Sequence, residues 1–304
     1  MAFRIPPIVK VADTPWREPE WDTSRLQGRF LVATTPQGLT EQEVAAFTRD
    51  GFVVARGLAS ADRCLELEEV IAAEIAKANG PVEYEADLGY PGSPQDRSSP
   101  GGSTIRRLRQ VIDRHRVFAD WATSFDLTSC LASLLGHRLV VPLAHHNCVM
   151  TKQPRFSSRT GWHQDFRYWS YQRPELVSAW LALGHESSSN GALEIIPGSH
   201  ALQLDEHRFD AEQFFREDLP ENEELIASRQ SISLERGDVL LFHCLALHSA
   251  GPNTADQVKL SVVFTYRPED NPPVPGSRSD AFPELSLPRP GGSSPGDTPG
   301  AVSG

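Results

Sequence analysis

The hydrophobic positions of this chain change their period about halfway along it. Before residue 136 most of them recur at helical spacing, and from Leu139 they come in short runs separated by turn residues. Thr40-Glu41-Gln42-Glu43 has the form of a capping box, and Val44 and Phe47 supply the apolar side of a short predicted helix ending at Asp50-Gly51. Phe52-Val53-Val54-Ala55 then reads as a strand. Ser60 caps a second predicted helix, in which Cys64, Leu65, Leu67, Val70, Ile71 and Ile75 oppose a glutamate-rich face. From Gly80 to Gly102 glycine, proline and serine predict irregular chain, a loop long enough to serve as a lid over a pocket. Val117 to Leu135 predicts one helix with Phe118, Trp121, Phe125, Leu127 and Leu131 at core spacing.

The later runs are Leu139 to Met150, Trp162 to Phe166, Leu176 to Leu183, Leu193 to Ile196, Ser231 to Leu234, Val239 to Phe242 and Lys259 to Tyr266. Many short strands preceded by helices predict a mainly β fold, a jelly-roll or cupin-like barrel with helices packed on one face. The expected organisation is an N-terminal arm over 1–38, the barrel over 39–270, and a Pro/Gly/Ser-rich tail over 271–304 that is largely disordered.

Composition narrows the function classes. A 39% hydrophobic content in 304 residues suffices for a globular core. The net charge of −11 argues against general nucleic-acid binding, which needs a cationic surface. The N-terminal stretch has charges and prolines where a signal peptide needs an apolar run, and no eighteen-residue apolar segment occurs, so no membrane association is expected. Cys64, Cys130, Cys148 and Cys244 are widely spaced and form no Cys-x-x-Cys pair, which predicts reduced thiols in a cytoplasmic protein. Arg106, Arg107, Arg109, Arg114 and Arg116 read first as a solvated face, the alternative being a site for an anionic substrate or cosubstrate.

The chemistry centres on Gly161-Trp162-His163-Gln164-Asp165-Phe166. In an extended strand, side chains at i and i+2 leave the same face, so His163 and Asp165 converge on one point. An imidazole and a carboxylate supply two of the three ligands of a facial triad, which leaves the opposite positions of Fe(II) open. Further on come Asn190-Gly191, Ile196-Pro197-Gly198-Ser199-His200, Gly237-Asp238 and His248-Ser249-Ala250-Gly251.

In that order these stretches resemble the phytanoyl-CoA dioxygenase family of Fe(II)/2-oxoglutarate-dependent oxygenases, over roughly Leu39 to Tyr266. The phrase Trp162-His163-x-Asp165-Phe166-x-x-Trp169 is also similar to one in ectoine hydroxylases of the same superfamily. The resemblance implies a double-stranded β-helix in which His163, Asp165 and His248 hold Fe(II), with 2-oxoglutarate and O2 as cosubstrates. His145, His146, His185, His200 and His243 are left as core or surface residues. The family's arginine for the far carboxylate of 2-oxoglutarate falls here on Lys259, whose single ammonium orients a carboxylate less rigidly than a guanidinium fork. Ser261, in phase with Lys259, is expected to add a hydroxyl, with Arg267 as the fallback cation. Trp180, Gln164 and Met150 are placed along the cosubstrate, Trp180 having ordinary core as its alternative. Arg167, Tyr168 and Trp169 follow the metal strand and are candidates for a substrate wall, or else pack strand to loop. Asp165 itself implies hydroxylation rather than halogenation, since family members that halogenate carry Ala or Gly there. The expected reaction decarboxylates 2-oxoglutarate to succinate and CO2 while hydroxylating an unactivated C–H bond of a small molecule. Two other classes stay open: a cupin-like metal-dependent isomerase or hydrolase not using 2-oxoglutarate, and a catalytically silent metal-binding module.

Overall fold

The computed structural model describes residues 38–287. The expected N-terminal arm, save Gly38, and the last part of the expected tail, 288–304, lie outside them. Among the described residues five α-helices are present: α1 (Glu41–Asp50), α2 (Ala61–Lys77), α3 (Arg116–Ala122), α4 (Phe125–Leu135) and α5 (Pro220–Ala227). The strands are β1 (Phe52–Ala55), β2 (Val82–Tyr84), β3 (Ile105–Arg109), β4 (Leu139–Pro142), β5 (Asn147–Lys152), β6 (Thr160–His163), β7 (Val177–Ala182), β8 (Leu193–Ile195), β9 (Gln230–Ser231), β10 (Val239–His243), β11 (His248–Ala250), β12 (Lys259–Pro268) and β13 (Glu284–Ser286).

The larger sheet runs β1-β10-β7-β12-β5-β3-β2, with β4 joining β12 and β13 joining β4. The smaller runs β6-β11-β8-β9, and the strand pairs of both sheets are antiparallel. This is the expected mainly β, double-stranded β-helix architecture. Alternation along the central strands buries both faces of the large sheet. Val177, Ala179 and Leu181 of β7 and Val262, Phe264 and Tyr266 of β12 meet the helices in one core. Trp180, Ala182 and Val263 turn the other way, toward Leu193, Ile195 and Ala250 of the small sheet. A one-residue slip of β12 would exchange these two sets.

Three local expectations are corrected. The helix expected over Val117 to Leu135 is two, because the chain breaks at Thr123-Ser124 and restarts with Ser124 as N-cap. Phe125, assigned to the core, is consequently 50% exposed, while Phe118, Trp121, Leu127 and Leu131 are buried. The stretch 80–102 is not wholly irregular, since β2 pairs with β3 and Glu85 is fully buried behind it. Residues 271–287 are ordered rather than tail: β13 pairs with β4, and Asn271 and Ser279 are buried.

Candidate metal centre

His163 ends β6 and His248 opens β11, and strand register sets the two directly opposite each other. Their ring centroids are 4.1 Å apart. Asp165 arrives differently from the expectation of a strand continuing through Phe166. β6 stops at His163, Gln164 stays extended at φ −115° and ψ 126°, and Asp165 begins a single 3-10 turn. One extended residue is enough to keep the i, i+2 relation. Asp165 Oδ1 lies 3.8 Å from His163 Nε2 and 3.8 Å from His248 Nε2. The three donor atoms all fall within 4.8 Å of one another.

The backbone aims both rings. His163 Nδ1 bonds the Gly161 carbonyl at 2.9 Å and His248 Nδ1 the Ala246 carbonyl at 3.0 Å. A carbonyl only accepts, so the proton of each ring sits on Nδ1 and the lone pair at Nε2 faces Asp165. Burial, followed by the neighbouring His248, pulls His163 down to about 3, which keeps it in its neutral, ligating form. Burial acts to raise Asp165, but His146, His248 and His163 outweigh it and hold the carboxyl below its ordinary range. Ring nitrogens with fixed tautomers and an ionised carboxylate are the donor set of a facial triad, so these residues fit Fe(II).

The motif Ile196-Pro197-Gly198-Ser199-His200 serves this geometry from outside. Ser199 Oγ donates to the Ile196 carbonyl at 2.6 Å and accepts from the Leu247 amide at 2.9 Å, one residue before His248. Gly198 N–H also reaches the Asp50 carbonyl at the end of α1.

The three ligands line a cavity of about 300 Å³ between the sheets. Met150, Trp180, Lys259, Tyr168 and Trp169 line it. Gln164 and Arg167 do not. Gln164 donates to the Leu245 carbonyl at 2.7 Å and accepts from Arg167 Nε, and the Arg167 guanidinium lies 3.2 Å from the Phe209 ring centroid. Both side chains are committed to holding the 3-10 turn. Arg267, the fallback cation, is paired with Glu284.

Ser261 does not line the cavity; with Trp180 and Lys259, which do, it gathers around a residue that the sequence did not point to. Glu186, fully buried, accepts from Ser261 Oγ at 2.6 Å, from Trp180 Nε1 at 3.1 and 3.2 Å, and from Lys259 Nζ at 3.2 Å. Those three groups therefore already share a carboxylate supplied by the chain.

The arginine cluster divides. Arg116 is exposed, and Arg114 is tied to Glu74 and to backbone carbonyls. Arg106 is buried against Glu85, Ser158 and Thr160. Arg107 and Arg109 line the cavity, so the solvated-face reading fails for them and for Arg106. Arg107 Nε donates to Met150 Sδ, its register partner across β3 and β5. His145 and His146, set aside as core or surface, also line the cavity, and His146 Nε2 is 3.7 Å from Asp165 Oδ1. Their adjacency just before β5 was the available signal.

An antiparallel barrel with two histidines on adjoining strands and an aspartate beside them defines the class: a double-stranded β-helix protein with a two-histidine, one-carboxylate metal centre. The family described as phytanoyl-CoA dioxygenase (PhyH) matches residues 47–261, and the chain belongs to that family of Fe(II)/2-oxoglutarate-dependent dioxygenases. Membership decides among the three function classes in favour of the dioxygenase. The chain is 32% identical over 247 residues to the peroxisomal phytanoyl-CoA dioxygenase of Homo sapiens, covering 76% of this chain and 69% of that one. It is 25% identical over 255 residues to the ectoine dioxygenase of Sphingopyxis alaskensis, covering 78% and 79%. The crystal structure of EctD from S. alaskensis with bound Fe shares the fold with a TM-score of 0.65 at 22% identity, covering 80% of this chain and 81% of that one. The epimerase SnoN, solved with Fe3+, alpha-ketoglutarate and nogalamycin RO, shares it at a TM-score of 0.62 and 19% identity, covering 83% and 95%.

Proposed function

We propose that this dioxygenase hydroxylates an unactivated C–H bond of a small molecule carrying an anionic group, with succinate and CO2 as coproducts, in a cytoplasmic setting. Iron(II) held by His163, Asp165 and His248 would supply oxygen activation coupled to decarboxylation of 2-oxoglutarate. The observation that carries the reading is Asp165, a buried carboxylate 3.8 Å from both imidazole donors. It would be the third protein ligand to the metal and so favours hydroxyl transfer over halide transfer.

The rest of the cavity selects the substrate. Trp169 stacks on His145 with centroids 4.7 Å apart, and Tyr168 is fixed through its hydroxyl to the Glu212 carbonyl. Together with Phe214 and Tyr90, themselves packed edge to face, they give the cavity aromatic walls. Arg109 and Arg278 line the same cavity, and among the described residues neither has an acidic partner within 4 Å. Two uncompensated guanidinium groups suit a carboxylate or phosphate on the substrate.

The test is anaerobic reconstitution with Fe(II) and 2-oxoglutarate, reading the weak visible charge-transfer band, followed by oxygen and a succinate measurement. Metabolites are then screened for stimulated turnover and for products one oxygen heavier. Succinate formed with an isomerised rather than oxygenated product would replace hydroxylation by rearrangement. Arg109→Gln should raise KM several-fold for an anionic substrate while leaving uncoupled succinate formation unchanged; an unchanged KM removes the anionic-group assignment.

A further inference from the structure

The cation that the family pattern puts opposite the far carboxylate of the cosubstrate is already neutralised. Lys259 and Glu186 are 3% and 1% exposed at their side chains, and Glu186 accepts from Lys259, Ser261 and Trp180 together. A dicarboxylate reaching toward Lys259 meets a fixed negative charge about one ammonium diameter behind it, and like charges this close oppose each other.

The compensating cation stands one strand away. Lys152, the last residue of β5, is the direct register partner of Lys259 on β12, so the two side chains leave the same face of the sheet. Both line the cavity that holds the metal ligands, on the strand face that also presents Met150 and Cys148. Lys152 is 7% exposed and donates to two carbonyls, Ser158 at 2.9 Å and Gly251 at 2.6 Å. An ammonium has three N–H donors, and among the described residues no carboxylate lies within 4 Å of this one. The fold makes room for it deliberately. Gly191, at φ +77°, passes so close that a Cβ there would stand 2.6 Å from Lys152 Cδ.

Counting charge along this wall sharpens the point. Arg106 has Glu85 and Lys259 has Glu186, while Lys152 has only carbonyl dipoles. One positive charge is left over in a buried place, where an isolated ion is costly unless an anion joins it. Burial, with Arg106 and Lys259 adding to it, accordingly draws Lys152 down to about 7.

We infer that Lys152, and not Lys259, is the cation that holds the far carboxylate of 2-oxoglutarate in this enzyme, Glu186 having taken Lys259 out of that role. The inference rests on the dioxygenase reading above and adds a specificity-determining residue to it. Glu186 acts behind Lys259 as a positioning residue, setting how strongly a second carboxylate is held.

The experiment uses the Fe(II)-loaded protein without oxygen and two probes, 2-oxoglutarate and 2-oxopentanoate, which has the same chain length but no far carboxylate. Affinity is read from the charge-transfer band. Wild type should prefer 2-oxoglutarate. Lys152→Met should lose roughly ten- to a hundredfold in affinity for 2-oxoglutarate, the loss expected for one charge-assisted hydrogen bond, with 2-oxopentanoate unaffected. Lys152→Arg should keep the preference. Glu186→Gln should bind 2-oxoglutarate about tenfold more tightly, because a like charge is gone. A Lys152→Met protein that still prefers 2-oxoglutarate by the wild-type margin overturns the assignment. Should that variant not fold, a Glu186→Gln protein with unchanged or weaker affinity overturns it equally. A wild type that gives no band with either acid removes the dioxygenase reading itself, and the proposal with it.

Discussion

Replacing Lys259 by methionine strands Glu186 in the interior. The lysine stem is kept in volume, so the packing against Trp180, whose ring centroid lies 4.7 Å from Nζ, is largely conserved. What disappears is, among the described residues, the one positive charge within 4 Å of a carboxylate whose side chain is 1% exposed. Breaking a buried pair from one side costs about 3–5 kcal/mol, because an uncompensated charge remains. Here the Ser261 hydroxyl and the Trp180 indole still donate to Glu186, which puts the expected loss near the lower end, about 3 kcal/mol. For a domain of this size that corresponds to a fall of about 6–12 °C in Tm. Adding Glu186→Gln removes the stranded charge and leaves an amide oxygen for Ser261 and Trp180, so the double variant should recover more than half of the loss. Thermal unfolding of the apo protein at pH 7, for both single variants and the double, gives the coupling directly. A double variant no more stable than Lys259→Met would refute the reasoning, because the loss would then come from the lysine's packing and not from a stranded carboxylate.

Further outcomes follow from the same structure. His163→Ala and Asp165→Ala should each abolish stoichiometric Fe(II) binding while the apo protein stays folded, checked by equilibrium dialysis alongside circular dichroism; retained iron would remove that residue from the ligand set. Ser199→Ala leaves the buried Leu247 amide without its partner, so stability should drop by about 1–3 kcal/mol in urea titrations and Fe(II) affinity should fall as well, by about tenfold. A loss of stability with iron affinity intact would show that the clamp does not reach His248. His243 is pulled down to about 4 by burial and by the neighbouring His200. Its unfolded form takes up a proton near pH 6.5 while the folded form does not, so stability is present above that pH and is lost as pH falls toward 4. His243→Asn should therefore lessen the loss in apo stability between pH 7 and pH 5 by on the order of 1–2 kcal/mol, and an unaltered slope in paired urea titrations would discount the histidine.

What could be read from the chain alone follows a physical rule. His163 and Asp165 were legible because two ligand types at i, i+2 need only one extended residue between them, and the structure keeps that residue extended even though the strand ends a step earlier than expected. The barrel was legible because burial on one or both faces writes itself into short apolar runs. The break at Thr123-Ser124 was not, since Phe125 continues the apolar spacing and only its exposure shows that the second helix points elsewhere. Hardest of all were the charges. Periodicity reports which face a side chain leaves from, never whom it meets, so five arginines looked like one solvated strip although Arg106 is buried and Arg107 and Arg109 face the cavity.

The lysine at 259 shows the same limit at the site itself. Its position in the family pattern was visible in sequence, and so was the substitution of ammonium for guanidinium, but the acid that answers it lies 73 residues earlier between two turns. A planar two-pronged cation can serve an internal carboxylate and a ligand at once, whereas a single ammonium shared between them holds each less firmly. The exchange at 259 thus makes sense together with Glu186 and Lys152 as one rearranged unit: the chain supplies its own carboxylate to the old cation and presents a new cation on the adjoining strand. The three positions are then energetically coupled, and the effects of changing them singly should not sum to the effect of changing them together.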